Sequence, residues 1–138
     1  MATYNKFQPF VEKLAEKAHN LGSDALTLAL TTNANAPVAT NGVLADLTQI
    51  AYTNLSSRVL TISSSSQTSG TYKLVIAPLT LTASGGSVAT FRWVVMYNDT
   101  AASDELIGYW DDGADVTLAD TETYTFDADA GAGVLTLA

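Results

Sequence analysis

The chain of 138 residues contains no cysteine and only one histidine, His19. The absence of cysteine excludes disulfide bonds and thiolate metal ligands, and it is compatible with assembly in a reducing cytosol. A single imidazole also leaves the chain without the three or four His and Cys ligands of the usual zinc sites. Disulfide bonds, thiolate metal sites and zinc sites of the usual kinds are therefore excluded.

Long hydrophobic runs are also missing. No apolar stretch approaches the ~18 residues that a membrane-spanning helix needs. The N-terminal segment, MATYNKFQPF, contains no apolar h-region and no small-residue cleavage site, so no secretory signal is visible. We therefore expect no membrane partner and synthesis in the cytosol.

Charged residues are scarce and unevenly distributed. They make up 14% of the chain, against roughly 25% in an average globular domain, and Thr, Ser, Ala and Gly take their place. The six bases all lie at or before Arg92, together with four acids. The last 40 residues contain ten acids, beginning with Asp99, and no base, and the net charge is −8. This asymmetry disfavours nucleic acid as a partner and leaves surface display, cation binding or a basic protein partner.

The only strong helical pattern lies near the N-terminus. Spacings of three and four predict a helix over 7–21, with Pro9 in its first turn and Gly22 as its stop signal. Such a helix either covers one face of a sheet or docks on a neighbouring subunit. Its apolar stripe is Phe7, Phe10, Val11, Leu14, Ala18 and Leu21.

From about residue 25 onward the hydrophobic period is two, which is typical of strands. Residues 26–31 predict a half-buried strand and residues 58–63 a second one. The serine-rich stretch 63–69 indicates a loop or a frayed strand end. Residues 43–52 suit a short helix but have no strong cap.

A change of parity within 71–83 predicts a bulge or bend at Ala77–Pro78. Ser84–Ser87 predicts a hairpin turn, and the apolar run from Phe91 to Tyr97 a central strand. Further short strands, separated by Asp/Gly-rich turns, are expected at 105–110, 116–118, 123–126 and 134–137. Strands spaced by 8–12 residues indicate a mainly β fold, an antiparallel β-sandwich of jelly-roll or related type with an N-terminal α-helix. We expect one domain over 1–138.

No catalytic constellation is visible. His19 lies among lysines with no nucleophile assigned to it, and no phosphate-binding loop is present. The acidic segments 111–115 and 127–131 could supply oxygen ligands to Ca²⁺, but Asp and Gly are also the ordinary residues of turns. Tyr109 and Trp110 could form a sugar-binding platform or belong to the core. We therefore assign no catalytic, cofactor-binding or metal-binding residue and expect no enzyme activity.

Six segments of the chain resemble a group of small virion proteins of tailed bacteriophages. The likeness extends over nearly the whole chain, in strand and turn patterns rather than in a chemical signature. The segments are VEKLAEKAHNLGSD (11–24), QTSGTYKL (67–74), TASGGS (82–87), VMYNDT (95–100), LIGYWD (106–111) and GVLTL (133–137).

This resemblance implies a structural protein of the virion, made in the cytoplasm of the host bacterium. Size, β-rich character and lack of chemistry resemble capsid decoration (cement) proteins, which lock neighbouring capsomers and are often trimers. The implied partners are the major capsid protein and further copies of the chain, with a trimer favoured. A tail or fibre component is the alternative, and a glycan-binding module is a third interpretation. The predicted contact residues are Phe7, Phe10, Val11, Leu14, Tyr109 and Trp110.

Overall fold

A computed structural model describes residues 3–129 and 131–138. Within them, one α-helix, α1 (Gln8–Ala15), accompanies nine strands and two short 3-10 turns, Asn33–Asn35 and Leu44–Asp46. The strands are β1 (Asn5–Lys6), β2 (Leu26–Thr31), β3 (Ile62–Thr68), β4 (Thr71–Ile76), β5 (Leu79–Thr82), β6 (Phe91–Asn98), β7 (Leu106–Val116), β8 (Thr123–Phe126) and β9 (Leu135–Leu137).

The strands form three antiparallel sheets. Their orders are β1-β7-β6-β2, β3-β4-β9 and β5-β8. The central position predicted for the apolar strand β6 is confirmed, because β2 and β7 flank it. The expectation of a mainly β, antiparallel protein with a helix near its N-terminus is confirmed.

The three sheets share one hydrophobic core. Leu28 and Met96 come from the first sheet, Leu74 from the second, and Leu81 and Phe126 from the third, and all five are buried in one cluster. Burial of apolar surface at this common core is the main stabilising contribution to the fold.

The helix is shorter than the predicted range 7–21. It ends at Ala15, and Lys17 adopts a left-handed backbone with φ +68°. The amide of Lys17 donates to Leu14 O, and the amide of Ala18 donates to Lys13 O. This pair of hydrogen bonds is a Schellman motif, which satisfies the last carbonyls and turns the chain away from the helix axis. The helical spacing continues in the sequence beyond this point, so periodicity alone could not locate the end.

Strand β2 is buried along its whole length rather than half-buried, since all six of its residues are buried. Its outer edge is covered by the segment that precedes β3. Leu28 N donates to Arg58 O and Leu60 N donates to Leu26 O, and Thr27 forms an isolated bridge with Val59. The predicted strand 58–63 is thus divided between this bridge and the start of β3.

The serine-rich segment 63–69, predicted as a loop or a frayed strand end, lies mostly within a regular strand, β3. It pairs with β4 through a two-residue turn, Ser69-Gly70, with Thr68 opposite Thr71. Both turn residues have positive φ, +52° and +85°. Positive φ at both positions defines a type I′ turn, whose twist matches that of the two strands. The turn sets the register of the hairpin, and the serine run pairs with β4 in that register.

The bend expected at Ala77–Pro78 is confirmed, because β4 and β5 belong to different sheets on either side of it. The chain bends at Gly85–Gly86, but the predicted hairpin turn is not formed, since β5 pairs with β8. The segment is held from elsewhere in the chain: Ser84 N donates to Asn54 O and Gly85 N donates to Asp120 Oδ1.

The strand predicted at 105–110 continues to Val116 as β7. Trp93 pairs with Asp111 and Phe91 with Val116, so residues 112–115 lie opposite Arg92 alone. The predicted Asp/Gly turn is therefore a bulge within a strand. Strand β8 agrees with its prediction, whereas the ambiguous region 43–52 contains only the short 3-10 turn.

Candidate functional site

A buried polar cluster joins the end of the helical segment to the turn between β6 and β7. His19 and Asn98 are 6% and 0% exposed. The Asn98 Nδ2 group lies 3.0 Å from His19 Nδ1 and donates to Asp24 Oδ2 at 2.6 Å. The ring of Phe10 packs against the imidazole, with centroids 5.2 Å apart. The cluster connects residues 10–24 to Asn98, which is distant from them in sequence.

The hydrogen bonds of Asn98 determine the tautomer of His19. Asn98 Oδ1 accepts from the amides of Thr100 and Ala101, at 3.0 and 3.1 Å, which identifies Nδ2 as the donor side of the amide. His19 Nδ1 must then accept, and the hydrogen lies on Nε2. That nitrogen is buried without a hydrogen-bond partner among the described residues.

Burial lowers the pKa of His19 below its usual value of 6.5, against the opposing effect of the nearby Glu105 and Asp24 carboxylates. A protonated imidazole would also direct a hydrogen from Nδ1 at the Asn98 amide donor, which removes that hydrogen bond. The cluster therefore favours neutral His19 on both counts.

A groove of about 580 Å³ borders this cluster. The hydroxyl groups that line it already take part in hydrogen bonds within the protein. Ser65 Oγ lies 2.8 Å from Tyr72 OH, and Thr100 Oγ1 accepts from Ala25 N at 2.8 Å. Since Asn98 is the group that contacts His19, the geometry does not form a nucleophile-base pair.

The acidic bulge of β7 is held by two separate contacts. Arg92 makes a two-pronged contact with Asp111, at 2.7 and 3.1 Å, and lowers the pKa of that carboxyl. Tyr124 OH donates to Asp112 Oδ1 at 2.9 Å, and burial raises the pKa of Tyr124. The two neighbouring aspartates thus have different partners, so they do not act as a carboxylate pair.

The acidic segments do not assemble a cation site among residues 3–129 and 131–138, where no three His, Asp or Glu side chains converge. Asp129 Oδ1 instead accepts from the amides of Gly131 and Ala132, as aspartate does in ordinary turns. One residue of the predicted segment 127–131, Ala130, lies outside the described residues.

The predicted contact residues lie in different environments. Phe7, Phe10 and Trp110 are buried in the core, Leu14 and Tyr109 are partly buried, and Val11 is 49% exposed. Trp110 packs against Tyr4 and Phe126, so its ring offers no open face to a sugar. The contact surface remains a prediction, and Val11 is its most exposed member.

A second polar feature was missed by sequence reasoning. The Arg58 guanidinium lies 3.6 Å from the centroid of the Tyr52 ring and donates to Leu28 O. It borders a groove of about 460 Å³ that Tyr97 and Asp99 also line. The contact attaches the segment before β3 to β2. No local sequence motif predicts it, because Arg58 and Leu28 are 30 residues apart.

No protein-family model, curated protein or solved structure matches the chain. In the part of the chain that is described, no helix combines the length and apolar character needed to cross a bilayer.

Proposed function

We propose that this chain is a structural protein of a tailed-bacteriophage virion. In this proposal it is a decoration (cement) subunit that stabilises the outer capsid shell through lattice contacts and has no enzymatic role. The six sequence segments that resemble small virion proteins motivate the assignment. The observation that carries it in three dimensions is a sheet surface of small hydroxyl side chains.

This surface is clearest on the two-stranded sheet. Thr80 lies opposite Thr125, and Thr82 lies opposite Thr123. Three of the four are exposed and Thr82 is partly exposed, and the hydroxyls of Thr80 and Thr125 are 3.2 Å apart. Short, uncharged side chains allow another protein surface to approach closely without desolvating a charge. This is what a subunit that works by many weak contacts requires.

The partners follow from the same proposal. The chain would contact the major capsid protein and further copies of itself, with a trimer favoured, and would reside in the virion after synthesis in the host cytoplasm. Ten acids and no base after Asp99 would face away from the packaged genome, since a polyanion repels them.

We also propose that the four- and three-stranded sheets face each other as a sandwich of jelly-roll or related type. Leu28 of the first sheet and Leu74 of the second are both 0% exposed and belong to one core cluster. Packing of inner faces around a shared core is how two sheets form a sandwich.

The proposal is tested on virus particles. Capsids assembled with and without this chain should differ in resistance to heat and low salt, with the complete particles persisting longer because the added contacts stabilise the lattice. Re-addition of the purified chain should restore resistance. Equal survival of both kinds of particle would contradict a cement role.

Copy number separates the shell from the tail. A cement subunit should be present at a copy number comparable with that of the major capsid protein, and particle images should show it on the outer shell. A tail or fibre component should be confined to the tail and be far less abundant.

A further inference from the structure

Strand β3 forms a free edge of its sheet. It pairs with β4 alone, and no backbone hydrogen bond joins its outer side to any other described residue. Its sequence, ISSSSQT, contains no charge and no proline. Natural proteins usually protect such an edge with lysine, proline or a covering segment. At seven residues, β3 is also longer than the edge strands β1 and β9, which have two and three.

The phase of the ladder identifies the free backbone groups. The pair that flanks a two-residue turn, Thr68 and Thr71, is hydrogen-bonded, and hydrogen-bonded pairs alternate along an antiparallel ladder. Ser66 therefore directs its backbone groups toward β4, like Thr68. Ser65 and Gln67 direct their N–H and C=O groups outward.

The charge distribution indicates which partner fits. In a chain of net charge −8, the three strands β3, β4 and β9 contain one charged residue, Lys73, and no acid. Two copies of this chain repel each other wherever their acidic parts meet. The β3 edge is a place where they can approach without an acid in either ladder.

We propose that β3 is a self-association edge that pairs antiparallel with β3 of a second copy. Ser65 lies opposite Gln67 of the partner subunit, and the two-fold axis passes at Ser66. This register pairs both outward residues of each copy. A shift of the axis by one residue would involve either the irregularity beside Ser63 or the turn residue Ser69.

The contact is isologous, so the same edge is used on both copies and the pairing closes as a dimer. A trimer would require a different interface. The inference does not depend on a role in a virion, because self-association is measured on the purified protein.

A cysteine at the axis tests the register. Non-hydrogen-bonded antiparallel residues have Cα atoms about 4.5 Å apart, within the disulfide range of about 4.4–6.8 Å. The natural chain has no cysteine, so Ser66→Cys introduces a single thiol. Diamide, which accepts the two hydrogens released by two thiols, should convert this variant to a covalent dimer at low micromolar protein concentration. Ser87→Cys, at an exposed position of the segment that follows β5, should remain largely monomeric on a denaturing gel.

A charge at the axis tests the association itself. Ser66→Lys places two like charges opposite each other and should raise the dimer dissociation constant at least about tenfold. Ser87→Lys makes the same charge change at an exposed position outside β3 and should leave it unaltered. Gln67→Pro removes an outward N–H without removing a bond to β4 and should also weaken the dimer.

The readout is sedimentation equilibrium, with circular dichroism to confirm that each variant is folded. A wild-type chain that stays monomeric up to millimolar concentration would overturn the inference. So would equal dissociation constants for wild type and folded Ser66→Lys. Either result leaves the particle experiment untouched, whereas failure of that experiment alone would leave the self-association edge in place.

Discussion

Lys17 and His19 lie two residues apart, but Lys17 is constrained through its backbone and His19 through its side chain. The side chain of Lys17 is exposed, and its constraint is a backbone φ of +68°. The side chain of His19 is buried, and its constraint is the hydrogen bond with Asn98. One residue terminates the helix, and the other attaches the following segment to the first sheet. Each constraint leads to a direct measurement.

Lys17→Gly should stabilise the protein. A left-handed backbone costs a non-glycine residue about 1–2 kcal/mol, and the greater flexibility of unfolded glycine offsets about 0.5–1 kcal/mol of the gain. We expect the free energy of unfolding in urea to rise by about 0.5–1 kcal/mol. The control Lys13→Gly lies inside α1 and should lower it by about 1 kcal/mol. A destabilised Lys17→Gly would argue against the Schellman end.

Stability should fall as the pH drops below neutrality, and His19 should cause part of that loss. Its folded pKa lies below the unfolded value of about 6.5. Between those two values the unfolded chain binds more protons, so stability is full above 6.5 and declines as the pH falls toward the folded pKa.

Because the chain has one histidine, proton NMR can follow this imidazole without ambiguity. Its midpoint should lie below 6.5 in the folded protein and near 6.5 in urea. His19→Gln should flatten the decline in stability over that pH window. A folded midpoint above the unfolded one would show that the carboxylates of Glu105 and Asp24 outweigh burial.

Among the secondary-structure elements, the β3–β4 hairpin shows how a turn can determine whether a neighbouring segment forms a strand. The serine run has weak strand propensity by composition, and the structure forms it opposite the more apolar β4. The type I′ turn at Ser69-Gly70 sets the register. The Ser-Gly pair was the available sequence signal, and its significance depended on recognising the flanking residues as strands.

Gly70→Ala should destabilise the hairpin because φ is +85° at this position, where a Cβ is strained. We expect a loss of about 1–2 kcal/mol in the free energy of urea unfolding. Gly22→Ala is the matched control, since a Cβ there would meet no atom closer than 3.5 Å. Equal effects of the two substitutions would contradict the assigned turn. Ser69→Asn, which gives the preferred Asn-Gly pair, should be neutral or stabilising.

Across the molecule as a whole, repulsion between acidic side chains is concentrated in the last 40 residues, which contain ten acids and no base. Arg92 forms a close ion pair with Asp111, but most acids of the last 40 residues have no basic neighbour in sequence. Repulsion within one part of a compact chain lowers stability, and dissolved salt screens it.

Added NaCl should therefore raise the melting temperature of the purified protein. Between about 0.01 and 0.15 M salt the Debye length falls from about 30 to 8 Å, which screens most repulsion between exposed acids. Asp112→Asn combined with Asp115→Asn should reduce this salt dependence, because both substitutions remove charge from the acidic bulge. A melting temperature that falls with salt would mean that attraction dominates instead.

Local chemistry explains which features were predictable. The alternation of Leu26, Leu28 and Leu30 predicted β2, and the change of parity around Pro78 predicted the bend, because both depend on residues that are adjacent along the strand. The helix limit was not predictable from apolar spacing. Lys17 carries no residue-type signal for a left-handed end, where glycine is usual.

Sequence patterns alone established the class of the protein: β-rich and antiparallel, without thiols, with its acids gathered at one end. They did so because side-chain period and composition are local properties. The folded chain alone shows that β2 is buried on both faces, that β5 pairs with β8, and that Asn98 contacts both His19 and Asp24. These depend on which distant segments lie side by side, and a linear pattern of hydrophobic and polar residues does not specify that pairing.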